Sequence, residues 1–307
     1  MELRQLSYFV RVVECGSMGR AARELGVVTS ALSQQISRLE SELSARLLQR
    51  TKTGVRPTTA GLAFCHQAQL ALRHAEDAAR AAQHGRLAGH VSVGLPPSTS
   101  GVLGVPFMQA MRARYPDVHL RVVENLSGNL LTMLNARQID LAVLFNGRRA
   151  SSATVIPLLE ESLFAIASAT SASLMSGTSM SIADLAKLPL IVPSEPHGLR
   201  SLIDEAFGRA NCEPDVVAEV DGLAMLMDAV GAGLGVTVQP GAALARLDAD
   251  SFIAVPIESP NLKRLNQLVS LADDELSPVG LAARVVLLDV VRTLVEEGQW
   301  AGAELIK

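Results

Sequence analysis

Short hydrogen-bonding side chains line one face of a helix that is predicted near the N-terminus. Six of them fall on the outer side of the segment 29–43: Thr29, Ser30, Ser33, Gln34, Ser37 and Arg38. Hydroxyl, amide and guanidinium groups can reach base edges and phosphates in a DNA groove, whereas a helix that only faces water more typically carries Glu and Lys pairs. Three packed helices that bind no DNA give a similar pattern, so the spacing alone leaves both interpretations open.

Three cations follow this helix around Gly54: Arg50, Lys52 and Arg56. The segment 47–56 alternates poorly between apolar and polar residues, and we predict that it forms a hairpin. Cations on a turn are suited to contact with the phosphate backbone of a nucleic acid. Each of the three, taken singly, also fits an ordinary surface charge.

The charge of the chain is divided unevenly. Residues 1–89 hold 12 Lys and Arg against 7 Asp and Glu, whereas residues 90–307 hold 15 against 24, within a total net charge of −4. A basic first third attached to an acidic remainder suggests one part that faces nucleic acid and another that need not touch phosphate. Chance variation of surface charge is the alternative.

A second group of polar residues lies where ligands bind in α/β proteins. Pro97, Ser98, Thr99 and Ser100 follow the predicted strand 91–95 and open a helix. Ligands gather at the carboxyl ends of parallel strands, where the first N–H groups of a helix have no partner. The hydroxyls and amides are therefore suited to a carboxylate or another anion, or else they only cap the helix.

Further polar residues occupy the equivalent turns. Ser127 and Gly128 follow the next predicted strand, and Asn146 follows the third. Ser194 and Arg200 would lie on the opposite side of the proposed cleft. Arg200 is suited to pair with a ligand carboxylate through two N–H groups, or it is an ordinary surface arginine.

The sequence offers no catalytic or metal-binding pattern. It has no GxSxG, HExxH or P-loop motif, and its three cysteines are widely spaced without a CxxC pair. The glycine-rich run 231–235 precedes a predicted strand, which reverses the order of a dinucleotide site. Cys65 and His66 are neighbours on one helix and point about 100° apart, so they do not form a nucleophile and base pair. We predict no enzyme activity, no cofactor and no metal.

Three short helices must position the first group. Apolar residues at helical spacing predict a helix over 3–14 that ends near Gly16, and a short helix over 18–25 with Ser17 as its N-cap. A third helix is predicted from Thr29 or Ser30 to about Leu43. Its inward residues are expected to be Ala31, Leu32, Ile36, Leu39 and Leu43. Two short helices joined around a glycine are typical of a helix-turn-helix.

Residues 58–87 contain no proline and predict one helix of about 30 residues and about 45 Å. Six mostly small residues are spaced 3, 4, 3, 4 and 3 along it: Cys65, Ala68, Leu72, Ala75, Ala79 and Ala82. This spacing is typical of a seam between two helices. Packing of the helix against its own domain would explain the spacing equally well.

Strands and helices alternate in the remainder of the chain. Strands are predicted over 91–95, 118–124, 139–145, 188–192, 215–220 and 235–239, with helices over 101–115, 126–137 and 279–297. Alternation of this kind predicts parallel α/β sheets.

A series of residues in the first 61 positions resembles a known family. In chain order the series is the run Leu3 to Phe9, then Gly16, Ser17, Ala21, Ala22 and Leu25, then the run Ala31 to Ile36, then Leu39, Glu40, Leu43, Leu47, Leu48 and Arg50, and the run Pro57 to Gly61. The series resembles the N-terminal domain of LysR-type transcriptional regulators. The general pattern extends over nearly the whole chain, and within the family it is most similar to the nitrogen-assimilation control branch. Ser30 and Gln34 stand where many members have Pro and Arg, so base preference cannot be transferred.

The resemblance implies the domain organisation. The fold would be α/β with an all-α N-terminal part: a winged helix-turn-helix DNA-binding domain over 1–57, a linker and dimerisation helix over 58–88, and an effector-binding domain over 89–307. The effector-binding domain would be periplasmic-binding-protein-like, with subdomain I over about 89–161 and 267–307 and subdomain II over about 162–266.

The resemblance also implies partners. These are double-stranded promoter DNA, further copies of the chain in a homodimer or homotetramer, RNA polymerase and a small anionic metabolite as effector. A cytoplasmic protein without membrane contact is expected, and the branch it most resembles implies that an effector need not be required. The alternative is an α/β solute-binding or enzymatic protein with an accessory helical N-terminus, which the lack of a signal-peptide pattern and of catalytic motifs disfavours.

Overall fold

A computed structural model describes residues 1–51, 54–84, 87–145, 153–175, 177–195, 197–259 and 262–306. The chain divides into an N-terminal unit, Met1–Gly89, and a C-terminal unit, His90–Lys307. We describe each unit by itself. In the described part of the chain, every helix is too short or too polar to cross a membrane.

The N-terminal unit begins with three helices whose ends follow the local sequence. Their bounds are α1 Leu3–Cys15, α2 Met18–Glu24 and α3 Thr29–Glu42. Gly16 ends α1 because it adopts the left-handed conformation, with φ of 60°. Ser17 caps α2 by accepting a hydrogen bond from the backbone N–H of Arg20, as predicted.

One narrow row of α3 packs into the core. Leu32, Ile36 and Leu39 are buried with α1 and α2 around Phe9. The prediction that Ala31 and Leu43 also face inward is wrong, since Ala31 is exposed and Leu43 is 37% exposed. Ala31 lies one residue, about 100°, away from this row. Leu43 continues the spacing of the row but is the C-cap residue, beyond the last residue of α3.

The predicted hairpin forms after α3. It consists of β1 Leu48–Thr51 and β2 Gly54–Pro57, which pair antiparallel with Arg50 opposite Val55. The backbone N–H of Val55 also donates to the carbonyl of Gly16, which joins the hairpin to the end of α1.

The long helix α4 spans Thr59–His84. Its first half belongs to the core of the N-terminal unit: Cys65 and Ala68 are buried there, Leu72 packs against the same core, and Phe64 contacts Phe9 edge to face. The seam predicted from the 3, 4 spacing is therefore internal to this unit over its first three positions. The spacing could not distinguish packing on α1 from packing on a second copy.

The first half of the C-terminal unit is a sheet flanked by helices. Its strands are β3 Gly89–Leu95, β4 Val118–Glu124 and β5 Leu141–Phe145, and β3 lies between β4 and β5, parallel to the latter. The helices are α5 Pro97–Arg114, α6 Ser127–Asn135 and, near the end of the chain, α10 Pro278–Glu296.

The second half has its own layer of strands and helices. Its helices are α7 Ile182–Leu185, α8 Gly198–Arg209 and α9 Leu223–Gly231, and its strands are β7 Pro189–Val192, β8 Asp215–Glu219, β9 Thr237–Pro240 and β10 Phe252–Pro256. β7 and β8 pair in parallel, and a bridge from Leu190 to Val236 connects them to the segment that leads into β9.

Two long strands connect the halves, and neither was among the predicted strands. β6, Ala153–Ser168, pairs with β11, Lys263–Leu271, along its first part and with β9 and β10 along its last part. The change of partner falls beside Glu161, which lies opposite Arg264. A short strand, β12 Ala303–Leu305, pairs with β6 at the same place.

Candidate nucleic-acid interface and ligand cleft

The outer face of α3 presents the predicted polar side chains. Thr29, Ser30, Gln34, Ser37 and Arg38 are exposed and Ser33 is half-buried. The N-cap of α3 is Val28, whose side chain accepts no hydrogen bond, so the first amides of the helix are left without a side-chain cap. Exposed hydrogen-bonding groups and uncapped amides at one helix end can serve both base edges and phosphates.

The hairpin carries part of the predicted cation set. Arg56 on β2 is exposed, Arg50 belongs to β1, and Lys52 lies outside the described residues. Sequence reasoning missed Arg46, which is exposed and has no ion pair among the described residues. Together with Ser33, Ser37 and Gln49, Arg46 lines a notch between α3 and the hairpin. Its position just before the hairpin strand was the available signal.

Glu40 fixes the hairpin relative to α3. Its Oε1 accepts hydrogen bonds from the backbone N–H groups of Leu47 and Leu48, at 2.7 and 2.9 Å. A carboxylate that accepts two backbone donors holds them firmly because the bonds are charge-assisted. The segment entering the hairpin is thereby tied to the last turn of α3, the helix that carries the polar face.

The start of α4 is joined closely to the same segment. Thr58 donates its backbone N–H to the carbonyl of Leu47, and its Oγ1 accepts from the N–H of Gly61. A Cβ at Gly61 would lie 1.9 Å from the carbonyl oxygen of Leu47, so no side chain fits there. The hairpin, α3 and α4 therefore form one packed arrangement.

A cleft of about 450 Å³ lies between the two halves of the C-terminal unit. Predicted residues from both halves line it: Pro97, Ser98, Ser127, Gly128 and Ser194. The N-caps of α5 and α6 are Pro96 and Leu126, which have no side-chain cap hydrogen bond. Both helix N-termini therefore offer amides to the cleft.

Other predicted residues are not brought to this cleft. Thr99 is fully buried, with its Oγ1 unpartnered among the described residues, and is absent from the lining. Ser100 hydrogen-bonds Glu124 and Arg246 instead. Asn146 lies outside the described residues.

Arg200 has protein partners in place of a ligand. Its guanidinium pairs with Glu219 at 2.5 Å and Asp204 at 2.8 Å, and it is not part of the cleft lining. These hydrogen bonds, that with Glu219 first, raise the pKa of Arg200 above its usual value. Helical spacing indicates the contact with Asp204, four residues further along α8, but could not reveal that with Glu219 on β8.

Arg264 is a cationic side chain of the cleft, and the sequence reasoning missed it. It lines the cleft and is only 3% exposed, with its guanidinium 3.8 Å from the ring centre of Phe145. Its Nε and Nη2 donate to Oε2 of the buried Glu161, and Nη2 also donates to Oγ of Ser98. A buried charge is tolerated when it is paired and hydrogen-bonded in this way.

The buried pair also holds the C-terminal segment. Asn266 donates its side-chain N–H to Oε2 of Glu161 at 2.7 Å, and the indole N–H of Trp300 donates to Oε1 at 2.8 Å. Because Glu161 and Arg264 stand on β6 and β11, the cluster ties the connecting strands to the start of α5 and to the chain end. Hydrogen bonds between separate elements thereby join the residues behind one wall of the cleft.

The opposite wall carries carboxylates. Asp221 and Glu205 line the cleft together with His197. Oδ1 of Asp221 accepts from the backbone N–H of Ser194 at 2.9 Å and from its hydroxyl at 2.8 Å. These bonds, the backbone one first, hold the pKa of Asp221 below its usual value, so it is an anion at neutral pH. Within the described residues, no group of three His, Cys, Asp or Glu side chains is arranged to hold a metal ion.

Family models match both units. Residues 3–62 match the bacterial regulatory helix-turn-helix protein, lysR family, and residues 84–292 match the LysR substrate binding domain. The match favours the regulator over the solute-binding or enzymatic alternative.

The chain is similar to named relatives over nearly its whole length. It is 33% identical to the nitrogen assimilation regulatory protein nac of Escherichia coli (strain K12), over 98% of this chain and 99% of that protein. Full-length OxyR from Pseudomonas aeruginosa has a similar structure, with a TM-score of 0.73, 25% identity and 95% of each chain covered. Full-length CbnR in complex with its target DNA shares the fold, with a TM-score of 0.65 and 23% identity over 95% of this chain and 99% of that one. The chain belongs to the LysR family of bacterial helix-turn-helix transcriptional regulators.

Proposed function

We propose that this regulator binds promoter DNA with α3 in the major groove and the hairpin as a wing on the phosphate backbone. The observation that carries the proposal is that α3 has two different faces. Its buried apolar row packs against α1 and α2, and its polar row is exposed. Ser33 and Gln34 would read base edges, and Arg46, Arg50, Lys52 and Arg56 would contact phosphate. Residues 1–57 would form the DNA-binding domain and 58–88 the linker.

A second copy of the chain would pack on α4. The first three positions of the predicted seam are packed inside the N-terminal unit, so a second copy would use exposed residues elsewhere on the helix. Ala63 and Ala71 are exposed small residues about 80° apart on this helix, and Leu62, next to Ala63, is 49% exposed. Small residues allow two helices to approach closely. A homodimer would present two α3 helices to successive major grooves, and pairing of dimers into a homotetramer would bend the DNA.

Residues 89–307 would respond to a small molecule in the cleft. The uncapped N-termini of α5 and α6 and the buried guanidinium of Arg264 favour a ligand with a carboxylate on that wall. Since the cleft has walls from both halves, a ligand bound to both would favour one closure over another. The oligomer would pass that preference to the DNA, to RNA polymerase, or to both.

Salt dependence of binding by the full chain tests the DNA proposal. The logarithm of the binding constant for a promoter duplex should fall linearly with the logarithm of the salt concentration, with a slope of about 0.9 per phosphate contact. Arg56→Ala should reduce that slope by about 1.8 in a dimer, because one contact is lost in each protomer.

Arg112→Ala provides the matched control, since Arg112 is an exposed cation on α5. It should leave the slope unchanged. A wild-type response that is flat with salt would exclude phosphate-driven binding. An equal slope in the Arg56 variant would remove the hairpin from the interface.

A further inference from the structure

The charges of the cleft do not suit a simple anion. Arg264 is the cation of its described lining, and it is already paired with Glu161 behind it. Asp221 and Glu205 line the other wall, so the net charge presented to a ligand is negative. A ligand with only negative groups would meet like charge across the cleft, which is unfavourable in a partly desolvated site.

Arg264 nevertheless has an unused donor. Glu161 and Ser98 engage Nε and Nη2, while Nη1 makes no hydrogen bond among the described residues. A guanidinium that is 3% exposed and lines a cavity can satisfy that donor only from the cavity. A ligand carboxylate there would also meet the hydroxyl of Ser98 and the uncapped amides of α5.

Asp221 has the complementary unused acceptor. Its hydrogen bonds from Ser194 both end on Oδ1, and among the described residues Oδ2 has no partner and no Lys or Arg forms an ion pair with the group. Glu205, by contrast, is paired with Arg209. The neighbouring His197 accepts the N–H of Leu199 on Nδ1. His197 also favours the Asp221 carboxylate electrostatically, as the smallest of the effects that lower its pKa. The negative charge of the cleft is therefore centred on Asp221, with no described Lys or Arg paired to it.

We propose that the cleft binds a zwitterionic amino acid, with its carboxylate on Arg264 and its ammonium group on Asp221. The proposal rests on the proposed role of the cleft as a ligand site and narrows the class of ligand. An ammonium group supplies the donors and the positive charge that Asp221 lacks. Apolar lining residues surround the two anchors and favour an apolar side chain: Phe145, Leu199, Leu202, Leu223 and Leu226.

Binding of matched compounds to the full chain tests the proposal. The probes are the common L-amino acids, 4-aminobutanoate and 5-aminopentanoate. Each is compared with two analogues: the carboxylic acid without the amino group, and the amine without the carboxylate. Calorimetry and thermal shift should find at least one amino acid that binds at least tenfold more tightly than both of its matched compounds.

Asp221→Asn tests the anchor with little risk to folding, because the side chain is exposed and the amide oxygen still accepts from Ser194. This variant should lose at least tenfold in affinity for the amino acid and none for the matched carboxylate. Asp228→Asn is the control: it removes the same charge from α9, outside the cleft lining, and should bind like the wild type.

The outcomes separate the ligand class from the cleft itself. Carboxylates that bind as tightly as their amino acids, or an Asp221 variant with unchanged affinity, would overturn the zwitterion and leave the cleft as an anion site. Binding by no compound of any set would overturn both proposals for the cleft. DNA binding and its salt slope, measured on the same preparation, would be unaffected in either case.

Discussion

Replacing Glu161 with Gln removes the anion that compensates the buried Arg264. Glu161 is 0% exposed and its Oε2 accepts from Nε and Nη2 of Arg264 at 2.8 and 2.6 Å. The Gln side chain keeps one oxygen as an acceptor, but it is neutral and its other atom is an NH₂ donor. The buried guanidinium of Arg264 is then left without a negative charge to compensate it. Removing one partner of a buried ion pair costs about 3–5 kcal/mol.

The loss is large compared with the stability of a domain. In a unit of about 200 residues it corresponds to a fall in Tm of roughly 6–20 °C. Glu160→Gln is the matched control, since Glu160 precedes Glu161 on the same strand but forms an exposed ion pair with Lys263 at 3.5 Å. The control should change the free energy of unfolding by about 0–1 kcal/mol.

Tryptophan fluorescence recorded during denaturation measures the free energy of unfolding of the C-terminal unit selectively. Trp300 is the one tryptophan of the sequence, and its indole N–H donates to Glu161 itself. The signal therefore reports the C-terminal unit within the full chain. Adding Arg264→Met to Glu161→Gln should recover at least half of the loss, because no buried charge then remains unpaired. A loss below about 1 kcal/mol for Glu161→Gln, or strict additivity in the double variant, would refute the buried pair.

Two further predictions address the other contacts. Glu40→Ala should leave α1, α2 and α3 folded but weaken binding to every DNA duplex at least tenfold, because the N–H groups of Leu47 and Leu48 lose the acceptor that fixes the hairpin. Circular dichroism measures the helix content and a mobility-shift titration measures the affinity. Unchanged affinity would contradict the prediction. The Asp221 to Ser194 contact should stabilise the C-terminal unit fully above about pH 4 and lose its effect as the pH falls through the lowered pKa of Asp221, because the folded state favours the carboxylate. The stability difference between wild type and Asp221→Asn, followed through Trp300, should therefore change mainly below pH 5. A larger change between pH 6 and 7 would contradict this assignment, because the charge of His197, which also favours the carboxylate, would then outweigh the bonds from Ser194.

Local signals in the sequence predicted many of the elements but not the strands β6, β10 and β11. Ser17 and Gly16 determine the turn between α1 and α2, and the strand predicted over 118–124 has the bounds observed for β4. These features depend on neighbours a few residues away, so one sequence contains the information. The polar face of α3 was predicted for the same reason, although its buried row is narrower than expected.

Long-range pairing could not be predicted in this way. Glu161 and Arg264 are separated by 103 positions, and neither lies in a pattern that suggests burial. The sequence therefore directed attention to Arg200, which Asp204 and Glu219 already pair, and away from Arg264. Likewise the spacing of Cys65 and Ala68 identified a packed face but not the partner, which is the core of their own unit.

Selection of binding sites from randomised duplex DNA tests the central claim most directly. The full-length wild type should enrich an interrupted palindrome whose half-sites are separated by whole helical turns of about 10.5 base pairs. Gln34→Ala should change the preferred bases at the same position of each half-site, because Gln34 is exposed on the outer row of α3, whereas Arg56→Ala should weaken all sites and keep the motif. Enrichment of no motif, or of an identical motif by the Gln34 variant, would contradict the assignment of α3 as the helix that reads DNA.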